Sequence, residues 1–202
     1  PKVVEDVWRS VVQFYQTGLH PGLQMCIRYR GAVVLDRAVG HARGNVPPGT
    51  SDSTSRGPLE CLTPDHRLSL FSASKVIVTM LIHLMDEAGL LHPDDAVVEY
   101  IPEFAAHGKH RVTIRHLLTH RAGIPHLPGQ KIDLDLIADE RAILERLCAA
   151  KPITRPGRQL AYHPITSGYV LGEILRRVTG KNVRELVDER IRKPLGFEGL
   201  TY

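Results

Sequence analysis

Apolar side chains recur along this chain in two rhythms, and the change of rhythm marks out its elements. Val4, Val7, Trp8, Val11, Val12, Phe14 and Tyr15 return at the spacing of one helix face, with Gly18 as a stop. Residues 3–17 therefore read as an amphipathic helix. Leu23, Met25, Ile27 and Tyr29 then alternate with more polar neighbours, the period-two pattern of a strand. A turn at Gly31-Ala32, with Gly first, leads into a second strand over residues 33–39, making a hairpin. Residues 41–66, rich in Gly, Pro, Ser and Thr, form a long connection, of a kind usually functional or mobile in a compact domain.

From residue 67 the pattern is helical. An apolar helix starts at about Ser72 and ends near Gly89, and residues 94–100 and 112–120 read as short helices. After a Pro/Gly loop over 121–133, residues 134–150 form one helix with Ile137, Ile143, Leu144 and Leu147 on its apolar side. A second loop carries Pro156-Gly157 and Tyr162-His163-Pro164, before closing helices over 166–178 and 183–192. The chain thus divides into residues 1–66, a helix and hairpin with a long loop, and a helical part over 67–202. Two strands do not make a stable sheet. The expectation is an α+β fold whose sheet is completed by strands beyond Tyr202 or by another chain.

Composition narrows the function. Hydrophobic residues are 43% and charged residues 24% of 202, as in ordinary globular domains. The net charge of +4 comes from dispersed basic residues with only 5% aromatics, which does not indicate nucleic acid. The densest basic run, 176–193, is interleaved with Glu185, Asp188 and Glu189 and reads as a solvated helix face. Cys26, Cys61 and Cys148 show no metal-binding spacing, and Cys26 and Cys148 read as small buried hydrophobes. No apolar run reaches transmembrane length and the chain opens on Pro1-Lys2-Val3-Val4, so the expectation is no membrane association and a cytoplasmic location.

The candidate chemistry begins with Ser72-Ala73-Ser74-Lys75, the one Ser-x-x-Lys in the chain. Residues three apart share a helix face, so the Ser72 hydroxyl and Lys75 amine are expected to be neighbours. A serine attacks only when a base takes its proton, and a lysine helps only where burial or nearby cations lower its pKa. A helix N-terminus adds N–H groups able to hold an oxyanion. The plainer reading is a capping serine followed by a solvated lysine. His116 and His120 have the spacing of a metal pair, but no third ligand accompanies them and no metal is expected. No Gly-x-Ser-x-Gly or phosphate-binding glycine loop is present. The acidic pairs Asp86-Glu87, Asp94-Asp95 and Asp139-Glu140 read as solvated.

Taken together, several stretches resemble the serine β-lactamase-like superfamily, most closely its class C-related members and the family VIII carboxylesterases. They are Ser72-Ala73-Ser74-Lys75, Gly89-Leu90-Leu91-His92-Pro93-Asp94-Asp95, Ile114 to Ile124 through His116-Leu117-Leu118-Thr119-His120, Pro156-Gly157 with Tyr162-His163, and Gly168 to Gly180. The resemblance implies a β-lactamase/transpeptidase-like antiparallel sheet flanked by helices, with a mostly helical subdomain. It implies Ser72 as the acylated nucleophile and Lys75 and Tyr162 as candidates for the base, with no cofactor. His163 either lines the substrate pocket or is a turn residue that positions Tyr162. Where β-lactamases of this kind have Asn, two residues after the tyrosine, this chain has Pro164, which lacks an amide donor. That departure shifts the expected substrate towards small-molecule carboxylic esters. β-Lactamase or D-Ala-D-Ala peptidase activity, or a non-catalytic binding role, are the alternatives. The family's third motif, a Lys-Thr-Gly-like or His/Trp-Gly segment, is expected well after Tyr202, so the chain resembles the N-terminal half of such an enzyme. The remainder of the fold is its expected partner.

Overall fold

A computed structural model of the chain describes residues 1–43, 58–129 and 134–202. Residues 44–57 of the expected connection and 130–133 of the expected loop lie outside the described residues. The chain forms two compact units, Pro1–Ser69 and Leu70–Tyr202.

In the first unit α1 (Lys2–Gln16) precedes β1 (Gly22–Tyr29), β2 (Ala32–Arg43) and β3 (Glu60–Cys61). The three strands pair antiparallel in the order β1-β2-β3. Arg37 of β2 grips Glu5 of α1 through two bonds of 2.9 and 2.6 Å and lies 5.8 Å from the Trp8 ring centroid. The hairpin turn falls one residue before the expected Gly31-Ala32. Tyr29 pairs with Ala32, which leaves Arg30 and Gly31 at φ +50° and +83°. Two successive positive φ angles make a type I′ turn, whose twist matches the flanking strands. β2 also runs past residue 39 to Arg43, and β3, two residues long, has no periodicity to announce it. Cys26 is exposed, contrary to expectation, because strand alternation sends it to the face opposite half-buried Met25 and Ile27.

The second unit holds α2 (Lys75–Glu87), α3 (Val97–Tyr100), α4 (Ile114–Leu118), α5 (Leu134–Ala138), α6 (Glu140–Ala149), α7 (Thr166–Thr179), α8 (Val183–Val187) and α9 (Lys193–Leu195). A 3-10 turn spans Phe71–Ser74. α7 packs against α2, α3, α4, α6 and α8. Its buried row Val170, Leu171, Ile174 and Leu175 follows the helical repeat and meets Leu81, Ile82, Leu117, Ile143 and Leu147 in one core. No helix among the described residues is long and apolar enough to cross a membrane.

The expected helix over 134–150 is two helices. Asp139 has non-helical backbone (φ −92°, ψ +85°), and its carboxylate accepts the Ala142 N–H at 2.9 Å as the N-cap of α6. Asp139→Ala is expected to cost about 1 kcal/mol, read as a Tm lower by roughly 2–4 °C; an unchanged Tm would remove the capping role. The acidic pair Asp94-Asp95 is engaged rather than merely solvated. Asp95 accepts from the His92 N–H and the Tyr100 hydroxyl, both at 2.5 Å, and Asp94 forms a two-bond pair with Arg115. α3 therefore starts at Val97, beyond this turn. α4 is likewise shorter than expected: Thr113 caps its start, accepting from the His116 N–H at 3.2 Å, and His120 leaves it with φ +57°. Past α8 the helix loosens into a π turn over Asp188–Arg192.

A lysine is buried in this core. Lys109 is fully buried, and its Nζ donates to the carbonyls of Ala106 and Cys148, each at 2.9 Å, and of Ala150. Cys148 and Ala150 close α6, so the ammonium sits at the negative end of that helix and satisfies carbonyls that no turn of helix follows.

Candidate active site

Ser72 lies in the 3-10 turn, not in an α-helix starting there, and Lys75 opens α2. The turn is entered through Phe71, a bulky residue at φ +45° that is 83% exposed. Left-handed backbone at such a residue is strained and persists where neighbours hold it. Here the Ser74 hydroxyl donates to the Phe71 carbonyl at 2.6 Å and the Ala73 N–H to the Leu70 carbonyl at 3.0 Å.

The structure brings three of the four expected site residues together. Lys75 Nζ donates to Ser72 Oγ at 3.2 Å, and the Tyr162 hydroxyl, ninety residues on, donates to the same oxygen at 2.6 Å. Lys75 Nζ is 5.3 Å from the Tyr162 ring centroid. The bond to Ser72 and then the Lys75 ammonium hold the Tyr162 hydroxyl below the usual tyrosine range. Ser72 and Tyr162 are both exposed.

His163 is placed elsewhere. It is fully buried, its Nε2 accepts the Ile124 N–H at 3.1 Å, and its Nδ1 lies 2.5 Å from the Ala161 carbonyl. Accepting at Nε2 leaves the proton on Nδ1, donated to Ala161, and burial pushes its pKa down. Both ring nitrogens are occupied, so the side chain lines no open pocket in this structure. Pro164, the departure from the family pattern, is exposed beside it.

Tyr162 sits on a segment tied down by main-chain bonds. Ile153 N–H donates to the Gly123 carbonyl at 2.9 Å, Gly157 N–H to Arg121 at 2.9 Å, and Ala161 N–H to His120 at 3.0 Å. Gly123 has φ +80°, and a Cβ there would lie 2.4 Å from the Thr154 carbonyl oxygen, so the close approach requires glycine. His120 was not among the expected site residues. The spacing of His116 and His120 pointed only to a metal pair, but the two rings serve different places. His116 Nδ1 accepts the Thr113 N–H at 3.2 Å, while His120 meets the Tyr162 ring edge-on at 4.9 Å. Among the described residues no three His, Cys, Asp or Glu side chains group as metal ligands.

Comparison with known proteins matches this arrangement to a family. The Beta-lactamase family model matches residues 9–202. Esterase/beta-lactamase LipL of Mycobacterium tuberculosis is 38% identical over 131 residues, covering 65% of this chain and 30% of LipL. A penicillin-binding protein homologue from Caulobacter crescentus superposes with a TM-score of 0.82 at 32% identity, over 97% of this chain and 49% of that one. A family VIII carboxylesterase superposes with a TM-score of 0.78 at 27% identity, over 96% of this chain and 49% of that one. The matched part covers between 30% and 49% of the length of these relatives. With the fold, the Ser-x-x-Lys turn and the facing tyrosine in one place, this chain belongs to the Beta-lactamase family.

Proposed function

We propose that this chain carries the nucleophile and base of a serine hydrolase that cleaves carboxylic esters through an acyl-enzyme on Ser72. The observation that carries the reading is the convergence of Tyr162 and Lys75 on one oxygen, Ser72 Oγ, at 2.6 and 3.2 Å. With its proton lost, Tyr162 accepts the Ser72 proton along the contact it now donates through. Oγ then attacks the ester carbonyl, and the alcohol leaves with the proton returned by Tyr162. A water, deprotonated by the same pair, releases the acid and frees Ser72. The Lys75 side chain beside the ring favours the phenolate electrostatically. His163 acts from behind as a positioning residue.

Esters are favoured over β-lactams because Pro164 offers no amide donor at the position where a side-chain amide would grip the substrate. The carboxylesterase named in the family VIII structure supports the same choice. The test is to treat the full-length protein with a fluorophosphonate, map the adduct by peptide mass spectrometry, and compare turnover of a short-chain nitrophenyl ester with that of a chromogenic cephalosporin. An adduct on Ser72 and faster ester turnover are expected. Faster cephalosporin turnover would make the enzyme a β-lactamase, and a folded protein that takes no label would end the hydrolase reading.

A further inference from the structure

We propose that His120 is a positioning residue for Tyr162, and that it performs this role only while its Nδ1 is unprotonated. The inference rests on the hydrolase reading above and adds a residue and a second proton to it.

His120 holds three consecutive residues. Its carbonyl accepts the Ala161 N–H at 3.0 Å, its Nδ1 accepts the His163 N–H at 3.3 Å, and its ring meets Tyr162 edge-on at 4.9 Å and 70°. The imidazole also lies nearly parallel to the His163 ring, centroids 5.8 Å apart at 16°, and that ring is itself pinned between Ile124 and Ala161. The residues before and after Tyr162 are thus bonded to the residue its ring packs against. His120 makes these contacts from φ +57°, left-handed backbone that is uncommon for residues other than glycine but that histidine adopts more readily than most.

The bond to His163 fixes the protonation. A ring nitrogen accepts only without a proton, so protonating Nδ1 would set a donor against the His163 N–H and release the segment. The titratable groups facing His120 are Lys75 at the start of α2, and Tyr162 and His163 on the loop. Burial first, and then the Lys75 charge, push its pKa below the usual histidine value. The neutral ring therefore prevails at neutral pH and is lost as pH falls below the ordinary histidine value of about 6.5.

Two variants separate positioning from mere packing. In His120→Asn the side-chain oxygen branches where Nδ1 does, asparagine tolerates left-handed backbone, and nothing titrates. His120→Ala removes the acceptor. On the full-length enzyme with an ester substrate, His120→Ala is expected to lower kcat by roughly 10–100-fold with KM little changed, the cost of a displaced base. His120→Asn should stay within about threefold of the parent at pH 8. Log kcat/KM against pH should fall with unit slope as Tyr162 gains its proton and steepen towards a slope of two once pH falls through the lowered His120 pKa. His120→Asn should keep the unit slope throughout. An alanine variant with the parent's kcat, or an asparagine variant that still steepens, overturns the proposal. Nitrogen NMR of His120 reads the same claim without turnover: an Nδ1 protonated at pH 7 would overturn it even if Ser72 takes no label.

Discussion

Tyr162→Phe is expected to lower kcat for ester hydrolysis by ~10²–10⁴-fold, the range a positioned general base contributes. The substitution removes one oxygen and little else. The ring keeps its edge contact with His120 and its place beside Lys75, and the side chain is 48% exposed, so stability should change by no more than about 0.5 kcal/mol. What disappears is the group 2.6 Å from Ser72 Oγ. The pH profile carries the sign. Because Ser72 and Lys75 hold the hydroxyl below its usual pKa, the phenolate accumulates as pH rises towards 10, and kcat/KM of the parent should climb to a plateau before about pH 10. The phenylalanine variant should show no such climb. A variant that keeps a third or more of the parent's kcat, with the climb intact, would move the base to Lys75.

Lys109→Met is expected to destabilise the fold by about 1–3 kcal/mol, although it lies outside the Ser72, Lys75 and Tyr162 cluster. Methionine has nearly the volume of lysine, so little cavity opens. The cost arises because the carbonyls of Ala106, Cys148 and Ala150 lose their shared donor in a fully buried position. Urea unfolding should show a lower midpoint at unchanged slope, and a loss below about 1 kcal/mol would mean that water replaces the ammonium. Burial also lowers the Lys109 pKa from 10.5. The unfolded chain then binds this proton more tightly, so Lys109 makes stability rise with pH between the lowered value and about 10.5. The variant should lack that rise.

Legibility followed the range of the interaction. The helical faces of α1, α2 and α7 were readable because burial repeats along one element, and the Ser72–Lys75 spacing was readable because three residues span a turn. Tyr162 reached the site only through its resemblance to a family motif, since no local signal joins residues ninety apart. The breaks were harder. Asp139 looks like an exposed acid until its carboxylate is seen capping α6, and an arginine at the first position of a type I′ turn runs against the residue preference of that turn. Lys109 carries no sequence signal of burial, because its partners are carbonyls, which every residue has. The same holds for His120 and His163, which act on main-chain atoms of neighbouring segments.

The three main-chain bonds that tie 120–123 to 153–161 bear on how such a site changes over generations. A bond between an N–H and a carbonyl does not depend on the side chain attached, apart from the demand for glycine at 123. Exposed residues on the same stretch, such as Ile153, Arg155 and Leu160, can therefore be exchanged while Tyr162 stays where it is. The position of Tyr162 is thereby insulated from change in the side chains around it, so this stretch can vary in sequence while its backbone placement is kept.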